Sequence, residues 1–161
     1  MRKDSLYEEL TEKITEILSR NLTPNCRLKA ICKLLRNSVS HYDWVGFYFV
    51  EKQKPCELVL GPFEGEPTEH VRIPFGKGIC GQAASRKKTL VVQDVSKELN
   101  YLSCSPKVKS EIVTPIFIKD RIVGELDVDS HAASAFTKGD EAFLEKIAKL
   151  VSGLLASETS A

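Results

Sequence analysis

The chain has almost no net charge, no CxxC pair, no block of lysine or arginine and no run of about 18 apolar residues. Each absence excludes a class of protein. Lys plus Arg number 23 against 22 Asp plus Glu, a formal charge of +1, and only 7% of residues are aromatic. That balance argues against a surface that neutralises nucleic-acid phosphates or anionic lipid, so neither partner is expected. The five cysteines, at 26, 32, 56, 80 and 104, are odd in number and unpaired in spacing. They fit neither a secreted disulfide framework nor a structural zinc site. His41, His70 and His131 form no HxH or HxxxH spacing, and no metal is expected. The opening MRKDSLYEELTEKITEIL carries acids where a signal peptide would be apolar, so a cytoplasmic protein with reduced thiols is expected. What is present is an ordinary globular composition, 42% hydrophobic and 28% charged over 161 residues, which predicts one domain over 1–161.

Helical periodicity opens the chain. Ser5 and Glu8 have the spacing of a capping box, and Leu6, Leu10, Ile14, Ile17 and Leu18 predict a helix over about 5–20. Thr23-Pro24 predicts the start of a second, with Leu28, Ile31, Leu35 and Val39 on its buried stripe and Cys32 beside them as core packing. From Asp43 the pattern turns to β: DWVGFYFVE, ELVLGPF and HVRIPF are short runs rich in Val, Phe, Tyr and Ile. A short helix over about 79–87, the strand LVVQDV and an irregular stretch over about 96–110 follow. EIVTPIFI and RIVGELDVD flank Lys119-Asp120 as a hairpin without glycine. Thr137 and Asp140 then open a last helix on Phe143, Ile147, Leu150, Val151 and Leu154. Segregated runs of this kind predict an α+β fold: helices over 1–40, sheet and pocket over 43–130, and a closing helix over 137–157.

Strand alternation shows where a ligand would sit. Val45, Phe47 and Phe49 point one way, while Trp44, Gly46 and Tyr48 point the other, so both faces are largely apolar. Terminal helices can cover one face; the other must be closed by the middle segments or left as a pocket. Asp127 and Asp129 share a face of an otherwise apolar strand, and Glu111 opens its hairpin partner. Crowded strand carboxylates resist joint ionisation and cost stability, which favours a cationic ligand or a proton transfer over an exposed strand end or pairing with Arg72, Arg121 or a lysine. Glu125, on the same face as Asp127, reaches either the pocket rim or solvent.

Two thiols have suggestive surroundings. A free thiol is only roughly 3% ionised at pH 7, so reactivity needs a helix N-terminus or a nearby cation. Cys80 opens the short helix, and Cys104 has Lys107 and Lys109 nearby in sequence; Cys26 and Cys56 have no such context. Gly76-Lys77-Gly78-Ile79-Cys80-Gly81 matches GxGxxG, but the unit is short, Pro74 interrupts its strand and the later hairpin points to an antiparallel sheet. A dinucleotide turn is therefore disfavoured.

Together, WVGFY at 44–48, LGPFEG at 60–65, RIPFGKGICGQAA at 72–84, CSPKVKSEIVTPI at 104–116 and GELDVDS at 124–130 resemble the free methionine-(R)-sulfoxide reductases, a branch of the GAF fold. The resemblance implies a six-stranded antiparallel sheet with the N- and C-terminal helices on one face and a small ligand pocket on the other. By matched position, Cys104 would be the thiol that attacks the sulfoxide sulfur and Cys80 a resolving thiol. Glu111, Asp127 and Asp129 would hold the substrate's ammonium and sulfoxide ends, with Glu111 as proton donor, and Trp44 and Tyr48 would pack on the S-methyl group. The implied cycle needs no bound cofactor; the external reductant is thioredoxin with its NADPH-dependent reductase, and a homodimer through the long helices is open. His70 stands where many members have a third cysteine, and Glu125 where an apolar residue is usual. A non-catalytic GAF sensor that binds a small ligand in the same pocket is the alternative, although it would need neither Cys80 nor Cys104.

Overall fold

The computed structural model describes residues 2–102 and 105–159, so Cys104 lies outside the described residues. Helices α1 (Lys3–Ser19) and α2 (Pro24–Ser38) precede strands β1 (Trp44–Val50), β2 (Glu57–Glu64) and β3 (Arg72–Pro74). Helix α3 (Gly78–Arg86), β4 (Leu90–Val92) and a 3-10 turn at Val95–Lys97 follow, then β5 (Ser110–Ile118), β6 (Arg121–Ser130) and α4 (Lys138–Thr159). The strands form one antiparallel sheet in the order β3-β2-β1-β6-β5-β4. The fold is α+β, as the pattern predicts.

The helical stripes land on one face of that sheet. Leu10 and Ile14 of α1, Leu28 and Leu35 of α2, and Leu144, Ile147 and Val151 of α4 pack with Val45, Phe47, Ile112, Leu126 and Val128 of the sheet. Each large apolar side chain buried there contributes roughly 1.5–3 kcal/mol, which makes this face the main source of stability. Cys32 is part of it, and Cys26 and Cys56 are exposed. Among the described residues no helix is long and apolar enough to cross a membrane.

Three local expectations change. The Ser5 and Glu8 capping box does not form: α1 starts two residues earlier, after Arg2, which makes no side-chain cap. Its first two turns are held instead by tertiary bonds from Lys3 and Tyr7 to Asp140. The strands at 70–75 and 90–95 each shorten to three residues. Pro74 offers no N–H to extend the first, and the Asp94 side chain accepts from Ser96 N at 3.0 Å, turning the chain out of the second. The hairpin at Lys119-Asp120 is as expected, with Lys119 taking a φ of 57° that glycine would adopt more easily.

The position of α3 follows from the sheet order. β3 and β4 are the two opposite edges, so the chain between them must cross the face that α1, α2 and α4 leave open. The turn into α3 is sharp: Gly76 and Gly78 take φ of 89° and 64°, and a Cβ on Gly81 would stand 2.6 Å from the Pro74 carbonyl. These glycines serve a tight crossing, and every strand pair among the described residues is antiparallel, which leaves no parallel βαβ unit there for a dinucleotide.

Candidate active site

The crossing lays α3 over the central strands and forms a second, smaller buried cluster. It contains Trp44, Tyr48, Ile79, Cys80, Ala83, Val108 and Val113. In register, β6 places Asp129 between Trp44 and Glu111, Asp127 between Gly46 and Val113, and Glu125 between Tyr48 and Pro115. The period-2 alternation therefore aims Glu111, Glu125, Asp127 and Asp129 at one space beneath α3, and all four are buried. Glu125 is 0% exposed, so it neither meets solvent nor lies on a rim; it sits under Cys80.

The groups at the centre are close. The Cys80 thiol donates to Glu111 Oε2 across 3.9 Å, and the Cys80 sulfur and one carboxyl oxygen each of Glu111 and Asp127 all lie within 4.8 Å of one another. Asp127 and Asp129 each meet the Glu111 carboxyl. Carboxyl oxygens in contact need a proton between them, so the cluster holds protons that isolated acids would release near pH 4. Burial raises Asp127, and burial together with the Asp127 charge raises Glu125 and Asp129 above the usual carboxylate range. One oxygen each of Asp127 and Asp129 and both oxygens of Glu125 accept no hydrogen bond. Such buried acceptors cost free energy until a donor arrives.

Cys80 corrects a simple expectation. It lies in the first turn of α3, where the helix field favours a thiolate. Burial and the charges of Asp127, Glu125, Glu111 and Asp129 outweigh that field and push the thiol well above its ordinary value. In the resting protein Cys80 is a protonated thiol.

The aromatic pair walls one side. Trp44 stacks on Phe63 at 5.5 Å between ring centroids, and its indole N–H donates to the Glu66 carbonyl at 2.9 Å. The Tyr48 hydroxyl donates to the His70 carbonyl at 2.9 Å, so His70 supports this wall through its backbone. Gly46 makes room for the ring beside it: a Cβ there would stand 2.4 Å from Trp44.

A strap over residues 95–102 and 105–109 closes the space. Asn100 accepts from Gly78 N at 2.9 Å and donates to the Gly76 carbonyl at 2.7 Å, while Gln82 donates to the Asn100 carbonyl at 2.9 Å. Lys107 pairs with Glu66 at 3.0 Å. Small cavities lie beside the cluster. One of about 10 Å³ touches Tyr48, Cys80, Glu111 and Asp127, and one of about 50 Å³ touches Trp44, Glu66 and Asp129. The first has room for about one water. Larger surface depressions of about 400 and 530 Å³, beside α4 and near the β5–β6 hairpin, bring no thiol near a carboxyl.

Six of the seven residues singled out in the sequence thus converge here, and Cys104 lies outside the described residues. Glu125 and Asn100 were not among them. The alternation placed Glu125 on the pocket face, but its burial depends on α3 crossing above it; Asn100 carried no sequence signal.

This architecture has close counterparts. The GAF domain model matches residues 23–155. GAF domain-containing protein A of Dictyostelium discoideum is 39% identical over 149 residues, covering 92% of each chain. The free methionine-R-sulfoxide reductase of Saccharomyces cerevisiae is 34% identical over 156 residues, covering 94% of this chain and 86% of that protein. Among solved structures, the free methionine-R-sulfoxide reductase from Neisseria meningitidis, in complex with its substrate, superposes with a TM-score of 0.92 at 34% identity, covering 100% of this chain and 95% of that one. The chain belongs to the GAF domain family, in the branch that includes the free methionine-R-sulfoxide reductases.

Proposed function

We propose that this protein reduces free L-methionine (R)-S-oxide to L-methionine through a thiol, sulfenic acid and disulfide cycle renewed by thioredoxin. The observation that carries the reading is the set of buried, undonated carboxyl oxygens beside Cys80, walled by Trp44 and Tyr48. An ammonium group offers the three N–H donors and the positive charge that such acceptors lack. The aromatic wall suits a small apolar group such as S-methyl. The names of the yeast and Neisseria relatives support the same substrate.

The residues divide the chemistry between them. Asp127 and Asp129 hold the ammonium, and Glu111 gives a proton to the sulfoxide oxygen, which is otherwise a poor leaving group. Cys104 attacks the substrate sulfur; that sulfur gains two electrons, and the oxygen ends on Cys104 as a sulfenic acid while methionine leaves. Cys80 then attacks the Cys104 sulfur, releasing water and forming a disulfide that a thioredoxin-class dithiol reduces. Burial and the surrounding carboxyls keep Cys80 a thiol while Cys104 reacts, so its proton has to leave with the Cys104 hydroxyl as water in this second step. The remaining space is too small for an amino acid, so the strap held by Asn100 withdraws for substrate entry. No bound cofactor takes part.

The test is turnover with thioredoxin, its reductase and NADPH, supplying each sulfoxide epimer free and in a peptide. Consumption is expected with the free R form alone. In Cys80→Ser one equivalent of methionine per protein is expected, with no thioredoxin-driven cycling. Normal cycling in that variant would remove Cys80 from the resolving role, and ligand binding without any turnover would favour a sensor.

A further inference from the structure

The substrate reading gives the thiol and the carboxyls separate roles and leaves their grouping unexplained. An ammonium group satisfies carboxylates but gains little from sulfur, which is a weak acceptor. Here the thiol is part of the cluster: the Cys80 sulfur, a Glu111 oxygen and an Asp127 oxygen lie within 4.8 Å of one another, all buried. Unpartnered oxygens adjoin them on the same strand face, Oδ1 of Asp127 and both oxygens of Glu125 two residues along. Those oxygens are an observation separate from the clustering, since each lacks a donor that a bound cation would replace.

The chemistry selects the cation. Tetrahedral zinc binds sulfur at about 2.3 Å and carboxylate oxygen at about 2.0–2.2 Å, which sets its donor atoms roughly 3.3–3.8 Å apart. The Cys80 to Glu111 separation of 3.9 Å is already near that spacing, and no separation within the triad exceeds it by more than about 1.5 Å. Magnesium and calcium take six or more oxygens and gain nothing from a thiolate.

We propose that the reduced protein binds one zinc-class divalent cation between Cys80, Glu111 and Asp127, and that the cation and the amino-acid substrate exclude each other. The competition rests on the substrate reading above; the binding does not. Entry of the metal expels the thiol proton and the shared carboxyl proton to solvent, leaving thiolate and carboxylates as ligands. A disulfide sulfur carries no such charge, so oxidation of Cys80 releases the metal, and bound metal in turn withholds Cys80 from the redox cycle. The site therefore couples activity to free zinc.

The experiment uses the full chain carrying Cys26→Ser and Cys56→Ser, which removes the two exposed thiols. Reduced, chelator-treated protein is titrated with Zn²⁺ against a chromophoric chelator, and with Cd²⁺ to read the sulfur-to-metal charge-transfer band. One equivalent is expected, displaced by free methionine, which offers the same ammonium group without oxidising Cys80. Cys80→Ser is expected to abolish the band, and both it and Asp127→Asn to weaken Zn²⁺ binding about tenfold or more, with circular dichroism confirming that each variant is folded. Absence of stoichiometric binding, or unchanged affinity in folded Cys80→Ser, would overturn the proposal. Turnover without zinc binding would overturn the metal site and keep the reductase; zinc binding at Cys80 without turnover would do the reverse.

Discussion

Replacing Glu111 by glutamine is expected to lower kcat by about 10²–10⁴, the usual worth of a positioned general acid. Glutamine keeps the size and much of the hydrogen bonding of the side chain and loses only its acidic proton. Glu111 is the carboxyl that both Asp127 and Asp129 meet, and the one to which the Cys80 thiol donates, so it stands where protons are shared. The signature is therefore a fall in kcat with little change in KM, together with loss of one ionisation from the pH profile. Asp129→Asn is expected to behave oppositely, raising KM because it removes charge facing the ammonium. Cys104→Ser, which replaces the proposed nucleophile, is expected to leave no measurable turnover. A Glu111→Gln variant that retains kcat within about threefold would pass the donor role to Asp127 or Asp129.

Asp140→Ala is expected to cost about 3–5 kcal/mol of stability, read from the urea midpoint at neutral pH. This fully buried carboxylate accepts from the Tyr7 hydroxyl, the Tyr42 hydroxyl at 2.9 Å, Lys3 Nζ at 2.9 Å and His41 Nε2 at 2.9 Å. It also accepts from the Thr137 N–H at 2.8 Å and so caps its own helix, as the sequence predicts. Alanine would strand all of these donors and part α4 from α1 and from the turn into β1. A loss under about 1 kcal/mol would mean that the donors find water instead.

The same residue gives stability a pH dependence of known sign. Burial alone would raise Asp140, but bonds from His41, Thr137, Tyr7 and Lys3 outweigh it and hold the carboxyl far below its ordinary value. Its contribution is thus complete above the unfolded value of about 3.9 and is lost as pH falls through the folded one. Glu125, Asp127 and Asp129 are raised, so their contribution is complete below about pH 4 and is lost as pH rises through their folded values. Chelator-treated protein without substrate is therefore expected to lose thermal stability from mildly acidic toward alkaline pH, and Asp127→Asn to flatten that decline. A melting temperature that climbs steadily over the same range in the unliganded protein would contradict the buried, protonated cluster.

Much of this was legible without coordinates because it depends on local periodicity. The alternation of Val45, Phe47 and Phe49 with Trp44, Gly46 and Tyr48 follows from a two-residue repeat, and so does the shared face of Asp127 and Asp129. Helix stripes such as Leu28, Ile31 and Leu35 follow from a 3.6-residue repeat. The features that were not legible arise from contacts distant in sequence. The start of α1 at Lys3 depends on Asp140, 137 residues away, and no capping pattern within the first turn could report it. The sharing of protons among Glu111, Asp127 and Asp129 depends on β5–β6 register, and the Asn100 latch depends on where the strap meets the turn into α3.

Fold class, the face of the sheet that carries the chemistry, and the residue types brought to it all follow from residue order, because alternation and helical spacing are properties of adjacent residues. Tertiary structure alone decided what state those residues are in. With β3 and β4 on opposite edges, α3 has to cross the open face, and that crossing seals Cys80 and four carboxyls away from water. Charges sealed in that way cannot all ionise, so the near-neutral chain keeps a protonated thiol and shared carboxyl protons at its centre until a cation arrives.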